Sequence, residues 1–268
     1  IPREGTMKKI KILYEDANIL ALDKPAGISV HQDARMTDKE TLVDFILAHD
    51  KKIAKVGEPM IVEHAGKKIE ILRPGIVHRL DKETSGVLLV AKNQKMFEAL
   101  KEQFQNHTIQ KVYRAFVYGW VPDPKASLAT GKRGVISAPI GRSPLDIRAW
   151  TAGRGAREPI RDAVTEYVVL ERFGDSDEEK LTVDHRFSYV EAYPKTGRTH
   201  QIRVHMRYIN SPVVSDPIYR GAKNMALGMN RLALHAHSVT FRLPSGEQKT
   251  VESPLPADFK KVIKTYIK

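Results

Sequence analysis

His78-Arg79-Leu80-Asp81-Lys82-Glu83-Thr84-Ser85-Gly86, running straight into Val87-Leu88-Leu89-Val90-Ala91, is the stretch on which the fold of this chain turns. Six uninterrupted small or apolar residues, 86–91, predict a strand covered on both faces. The nine residues 78–86, which share Gly86 with that run, crowd both charge signs, two hydroxyls and a glycine into the loop that feeds it. A carboxylate at such a place is held by the sheet and faces outward, a position suited to catalysis. The same Asp81 serves equally well to organise a turn by accepting backbone N–H groups from Thr84 or Ser85.

Working outward, residues 10–14 and 18–23 read as two short strands joined at Glu15-Asp16 and followed by a Lys24-Pro25-Ala26-Gly27 turn. Thr37 or Asp38 is placed to cap a helix through Leu42, Phe45, Ile46 and His49, and residues 50–72 suggest a small hairpin. Asn93 opens a second helix through Met96, Leu100 and Phe104, and residues 111–119 alternate as a strand. Residues 121–159, with five prolines, five glycines and many arginines, read as loop. Residues 165–172 and 181–193 form a long strand pair turning at 174–177. A helix over 199–208, a strand over 232–242 and a closing helix over 256–267 complete the pattern. Strands and helices mix without strict alternation, which predicts an α+β fold with a mixed or largely antiparallel sheet. The one boundary expected lies near residue 10, with 1–9 a linker remnant and 10–268 a single catalytic domain.

Composition narrows the chemistry. The 268 residues contain no cysteine, which removes disulfides, thiolate metal sites and cysteine nucleophiles. Forty-four Lys and Arg against 32 Asp and Glu leave a net charge of +12, spread along the chain rather than gathered in a tail. Such an excess on a folded body favours a polyanionic partner, nucleic acid first. No apolar run approaches the roughly 20 residues of a membrane span. There is no phosphate-binding Gly-rich loop, no dinucleotide fingerprint, no Gly-x-Ser-x-Gly elbow and no zinc-deaminase signature. The His200 and His205 spacing also fails the His-Glu-x-x-His metal pattern, so neither metal nor cofactor is expected.

Two further segments carry candidate chemistry. Thr196-Gly197-Arg198-Thr199-His200-Gln201-Ile202-Arg203-Val204-His205 is dense in donors, fit for phosphate, a carboxylate or a base edge, or else a solvated helix face. In Lys111-Val112-Tyr113-Arg114-Ala115, Tyr113 is either a core-filling strand tyrosine or a flat ring for an extruded base.

Taken together, these blocks resemble the RluA-type RNA pseudouridine synthases, and the RluD-like branch most. The resemblance runs through residues 12–27, the 73–92 block, 111–115, 197–205, Asp216-Pro217-Ile218-Tyr219 and Arg231-Leu232-Ala233-Leu234-His235-Ala236, in order. It implies a pseudouridine synthase fold, whose central sheet is divided by a catalytic cleft, and no cofactor. It also implies isomerisation of chosen uridines in structured RNA, 23S ribosomal RNA ahead of transfer RNA, in the cytoplasm and by a monomer. Its implied roles are Asp81 as the essential carboxylate, Arg203 as that acid's partner and Tyr113 as the stacking ring. Arg79 would fill the space a flipped base leaves, while His78, Thr84, Arg198, Gln201 and His205 contact RNA. Two departures stand out: Ser215 where the family commonly has glycine, and a long 51–72 segment. An N-terminal RNA-binding module common among relatives is expected to be absent. The rival classes are a non-catalytic RNA-binding or ribosome-assembly protein on the same fold, and a carboxylate-based hydrolase of anionic polysaccharide.

Overall fold

The computed structural model describes residues 10–32, 38, 40–64, 66–122, 133–174 and 186–267. In chain order the elements are β1 (Lys11–Glu15), β2 (Ile19–Lys24), α1 (Leu42–His49), β3 (Met60–His64), β4 (Lys67–Ile71), β5 (Ser85–Ala91) and α2 (Gln94–Gln105). Then come β6 (Gln110–Tyr118), β7 (Gly134–Ser137), β8 (Ile140–Arg142), β9 (Trp150–Ala152), β10 (Arg157–Arg161), β11 (Val164–Gly174) and β12 (Arg186–Pro194). The chain closes with α3 (Gln201–Tyr208), β13 (Leu234–Arg242), β14 (Gln248–Glu252) and α4 (Ala257–Tyr266). The fold is α+β. Its contacts divide it into two compact units, one over Ile1–Gln110 and Ala236–Pro254, the other over Lys111–His235 and Leu255–Lys268.

In the first unit the strands run β1-β2-β5-β13, with β14 beside β13. The β1–β2, β2–β5 and β13–β14 pairs are antiparallel. Every residue of β5 is buried, as its continuous apolar run requires. Gly86 takes φ +119° there, and a Cβ at that position would collide with the Ala236 carbonyl oxygen, so the strand's entry admits only glycine. α2 begins at the expected place because the Asn93 side chain accepts from Met96 N–H. α1 corrects the expected cap. Thr41 precedes it, and the Asp44 carboxylate accepts from both Thr41 N–H (2.7 Å) and Thr41 Oγ1 (2.8 Å). A cap needs its partner three residues on, and the Thr41-x-x-Asp44 spacing supplies one. Asp38 instead pairs with Lys82 at 2.5 Å, and Thr37 lies outside the described residues. β3 and β4 form the hairpin expected within 50–72.

In the second unit the order is β6-β12-β11-β7, antiparallel throughout. A separate three-stranded sheet runs β10-β8-β9. The 121–159 region is therefore corrected from loop to four short strands, with 123–132 outside the described residues. Residues 175–185, where the expected turn and the start of the second long strand fall, are also outside. Phe116 centres this unit's core, its ring 4.8 Å from that of Tyr189, 5.0 Å from Phe259 and edge-on to Phe173 at 6.1 Å. Such aromatic pairs add to the area they bury.

Ser215 has φ +56° and is buried, which gives the departure noted at this position a physical meaning. A left-handed backbone favours glycine; here serine offsets the strain by donating from Oγ to the Met229 carbonyl at 2.8 Å.

Candidate active site

The expected site residues fall into two groups, one in each unit: His78, Arg79, Asp81 and Thr84 in the first, Tyr113, Arg198, Gln201, Arg203 and His205 in the second. Each group is built by different means.

Asp81 sits half-buried at the head of a turn closed by Thr84 N–H donating to the Asp81 backbone carbonyl at 3.1 Å. The turn is thus closed by the main chain. What immobilises the loop is a residue the sequence reading treated as part of a turn. Lys24 is fully buried, and its ammonium donates to the carbonyls of Pro25 (3.0 Å), Ile28 (2.9 Å) and Lys82 (3.0 Å). The Lys82 carbonyl, one residue from Asp81, also accepts Gly27 N–H at 2.8 Å. Three ammonium protons meet three carbonyls, so a buried charge is tolerated because every donor is used. Lys24→Met keeps the stem but strands the Pro25 and Ile28 oxygens, each costing on the order of 1–3 kcal/mol, while the Lys82 carbonyl keeps its Gly27 N–H. We expect it to destabilise the chain by about 3 kcal/mol in urea unfolding, and to slow turnover on RNA in the fraction that remains folded. Lys24→Arg should recover part of the stability.

His78 holds the same loop to the sheet. Its Nε2 accepts Leu89 N–H at 2.9 Å and its ring stacks on Phe104 at 4.6 Å. An accepting Nε2 requires the neutral ring to carry its proton on Nδ1. Arg79 is exposed, whereas Thr84 is buried. These contacts make His78 a positioning residue of the loop, and Thr84 closes its turn. Arg79 alone of the loop's expected RNA contacts is well exposed.

In the second unit α3 is neither a solvated face nor an open donor array. Gln201, Arg203 and His205 are each 4% exposed or less. His200, left-handed at φ 55°, is its N-cap, and the residues that follow turn into the unit with specific partners. Gln201 uses its whole amide: Nε2 donates to Val164 O (2.9 Å) and Thr165 Oγ1 (3.0 Å), while Oε1 accepts from Thr196 Oγ1 (2.6 Å) and Arg198 N–H (3.0 Å). His205 is fixed between Thr165 Oγ1 (2.9 Å) and the Ala138 carbonyl (3.0 Å). The carbonyl takes a proton from Nε2, and burial pushes the imidazole's pKa down, so the ring is neutral. Gln201 and His205 therefore bind the protein to itself through these hydrogen bonds. Arg198 is half-buried and donates from Nε to the Asp162 carbonyl at 2.9 Å.

Arg203 has a carboxylate partner that sequence reasoning missed. Its Nε and Nη2 grip Asp216 Oδ2 and Oδ1 at 2.8 and 2.9 Å, a fully buried fork. Asp216 Oδ1 also accepts the N–H groups of Ile218 (2.8 Å) and Tyr219 (3.0 Å), and the guanidinium lies 5.0 Å from the Tyr219 ring centroid. Asp216 stood in the sequence within the Asp216-Pro217-Ile218-Tyr219 block. The Asx-type turn that such a block favours was the signal available. Tyr113, on β6 opposite Ala192, is half-buried and packs in part against the core. It meets the core description on one flank without being enclosed.

The model of the RNA pseudouridylate synthase family matches residues 18–208. The chain belongs to this family. A Bacillus subtilis (strain 168) protein described as an uncharacterized RNA pseudouridine synthase is 38% identical over 256 residues, 95% of this chain and 72% of that protein. Ribosomal large subunit pseudouridine synthase D of Xanthomonas campestris pv. campestris is 36% identical over 266 residues, 95% of this chain and 68% of that one. Human RNA pseudouridylate synthase domain containing 4 superposes with a TM-score of 0.64 at 25% identity, covering 94% of this chain and 91% of its own. A pseudouridine synthase is an isomerase. It breaks N1–C1′ of a uridine, forms C5–C1′, loses the C5 proton and gains one at N1, so the atoms balance without a co-reactant.

Proposed function

We propose that this pseudouridine synthase acts on uridines of large-subunit ribosomal RNA, with Asp81 as its catalytic carboxylate. The observation that carries the substrate is the 36% identity with a large-subunit synthase across 95% of this chain. Asp81 serves as the group that adds to the sugar or base, or that stabilises the cationic sugar as the glycosidic bond opens. Arg203, clamped by Asp216, is the second catalytic residue of this reading. The target base leaves its stack at a cost of a few kcal/mol, and stacking on Tyr113 returns about 1–3 kcal/mol of it. Arg79, exposed beside the acid's loop, offsets more by entering the vacated space. The pinned Lys82 carbonyl supports this reading, since a reacting group gains from a loop that does not move.

The test is to incubate unmodified 23S transcript with the protein and map pseudouridine by carbodiimide labelling and primer extension, because uridine and pseudouridine have the same mass. Discrete stops that require the enzyme are expected. Tyr113→Ala should lower their rate about 100-fold, the scale of one lost stacking contact, while melting within a few degrees of the parent. Stops in transfer RNA alone would replace the substrate. A Tyr113→Ala protein that merely unfolds would make that ring a core residue.

A further inference from the structure

The first unit contains a cleft lined in part by a polar atom whose hydrogen-bonding demand is unmet among the described residues. A cleft of about 360 Å³ opens between residues 29–32, the β3–β4 hairpin and the Arg79-Leu80 segment. Met60, Val62, Ile71 and Leu80 give it an apolar wall. Gln32 lines it too, and its buried Oε1 has no hydrogen-bond partner among the described residues. The amide cannot simply be turned over: its other end donates from Nε2 to the Asp38 carbonyl at 2.6 Å, and of the two ends of an amide only the nitrogen donates. A buried acceptor without a donor is rare in native proteins and marks a place where a ligand donor fits.

The charge around the cleft is equally uncompensated. Arg73, half-buried behind Met60 with Nη1 3.8 Å from its sulfur, has a buried Nε with no hydrogen-bond partner among the described residues. Burial and the like charge of Arg79 both lower its pKa. Among the described residues neither guanidinium makes an ion pair, and the acid on the cleft wall, Asp38, is already neutralised by Lys82 at 2.5 Å. His31, also on the wall, is engaged through Nδ1 with the Gln32 carbonyl at 2.7 Å. An apolar cleft with one orphaned acceptor and the Arg79 guanidinium on its wall, Arg73 lying behind Met60, has the chemistry of a nucleotide site: base in the cleft, phosphate toward Arg79.

We propose that this cleft is a specificity subsite for an unpaired nucleotide of the RNA substrate, flanking the modified uridine, whose imino or amino N–H is read by Gln32 Oε1. The proposal rests on RNA being the substrate but not on the role of Asp81. It also gives the long 51–72 segment a function, because the hairpin supplies half of the slot.

The subsite is tested on the whole chain by methyl NMR, titrating the four 5′-mononucleotides separately and observing the Met60, Val62, Ile71 and Leu80 methyl groups. Expected is saturable shift of those methyls, with at least one nucleotide binding threefold or more tightly than the weakest. Gln32→Leu, which keeps the volume and removes the acceptor, should level the four affinities, and Met60→Trp should abolish the shifts by filling the slot. On 23S transcript Gln32→Leu should raise KM about tenfold with kcat within twofold. No shift at these methyls, or discrimination that persists in Gln32→Leu, overturns the subsite. Asp81→Asn should titrate like the parent, so loss of the catalytic assignment leaves this result standing, and the reverse.

Discussion

Asp81→Asn should stop pseudouridine formation while leaving RNA binding within about threefold of the parent. The exchange preserves shape and removes only the charge and the nucleophilic oxygen, in a loop held by Lys24, Gly27 and the Thr84 turn. If Asp81 adds to the substrate or faces a developing cation, its loss falls on the transition state alone, and single-turnover rates drop by at least about 10⁴-fold. If it were only a turn residue, asparagine would accept the same backbone hydrogen bonds and the rate would hardly change. Single-turnover rates and filter binding on one 23S transcript separate these outcomes.

Arg203→Met carries the second large effect, and it acts on two observables. The guanidinium is 2% exposed and forks onto an Asp216 that is fully buried. Removing one partner of such a pair leaves an uncompensated buried charge, a loss of about 3–5 kcal/mol. Asp216 keeps two backbone N–H donors, from Ile218 and Tyr219, so the lower end of that range is expected. Arg203→Met combined with Asp216→Asn should recover most of the stability, because no charge is then stranded. It should not recover turnover if Arg203 serves the reacting acid. A double variant that regains both stability and rate would make the pair purely structural.

The sequence was most legible where one physical cause acts alone. β5 followed from six consecutive buried residues, and α2 from Asn93 and its helical spacing, because neither needs a distant partner. The polar blocks were less so. Arg203, Gln201 and His205 read as donors for a ligand, and two of the three are used up by Val164, Thr165, Thr196, Ala138 and the backbone. Nothing in a helical polar pattern tells a solvated donor from one satisfied 36 residues away. Lys24 beside Pro25 read as turn punctuation, since burial of a lysine appears only when three carbonyls from separate segments converge on it. The strands in 134–161 escaped notice because they are three to five residues long, and β10 is exposed at every position, which leaves no alternation to read. β14, with lysine, glutamine and glutamate in its five residues, escaped for a similar reason.

Isomerisation exchanges the hydrogen on C5 for a bond to C1′, so tritium placed there must enter water for every product formed. A large-subunit ribosomal RNA transcript made with 5-tritiated uridine, incubated with this protein, should release label to a plateau of a whole number of equivalents per RNA, matching the carbodiimide stops. A transcript that keeps all its tritium, although the protein binds it, would contradict the assignment of ribosomal RNA as substrate and of this chain as the enzyme that modifies it.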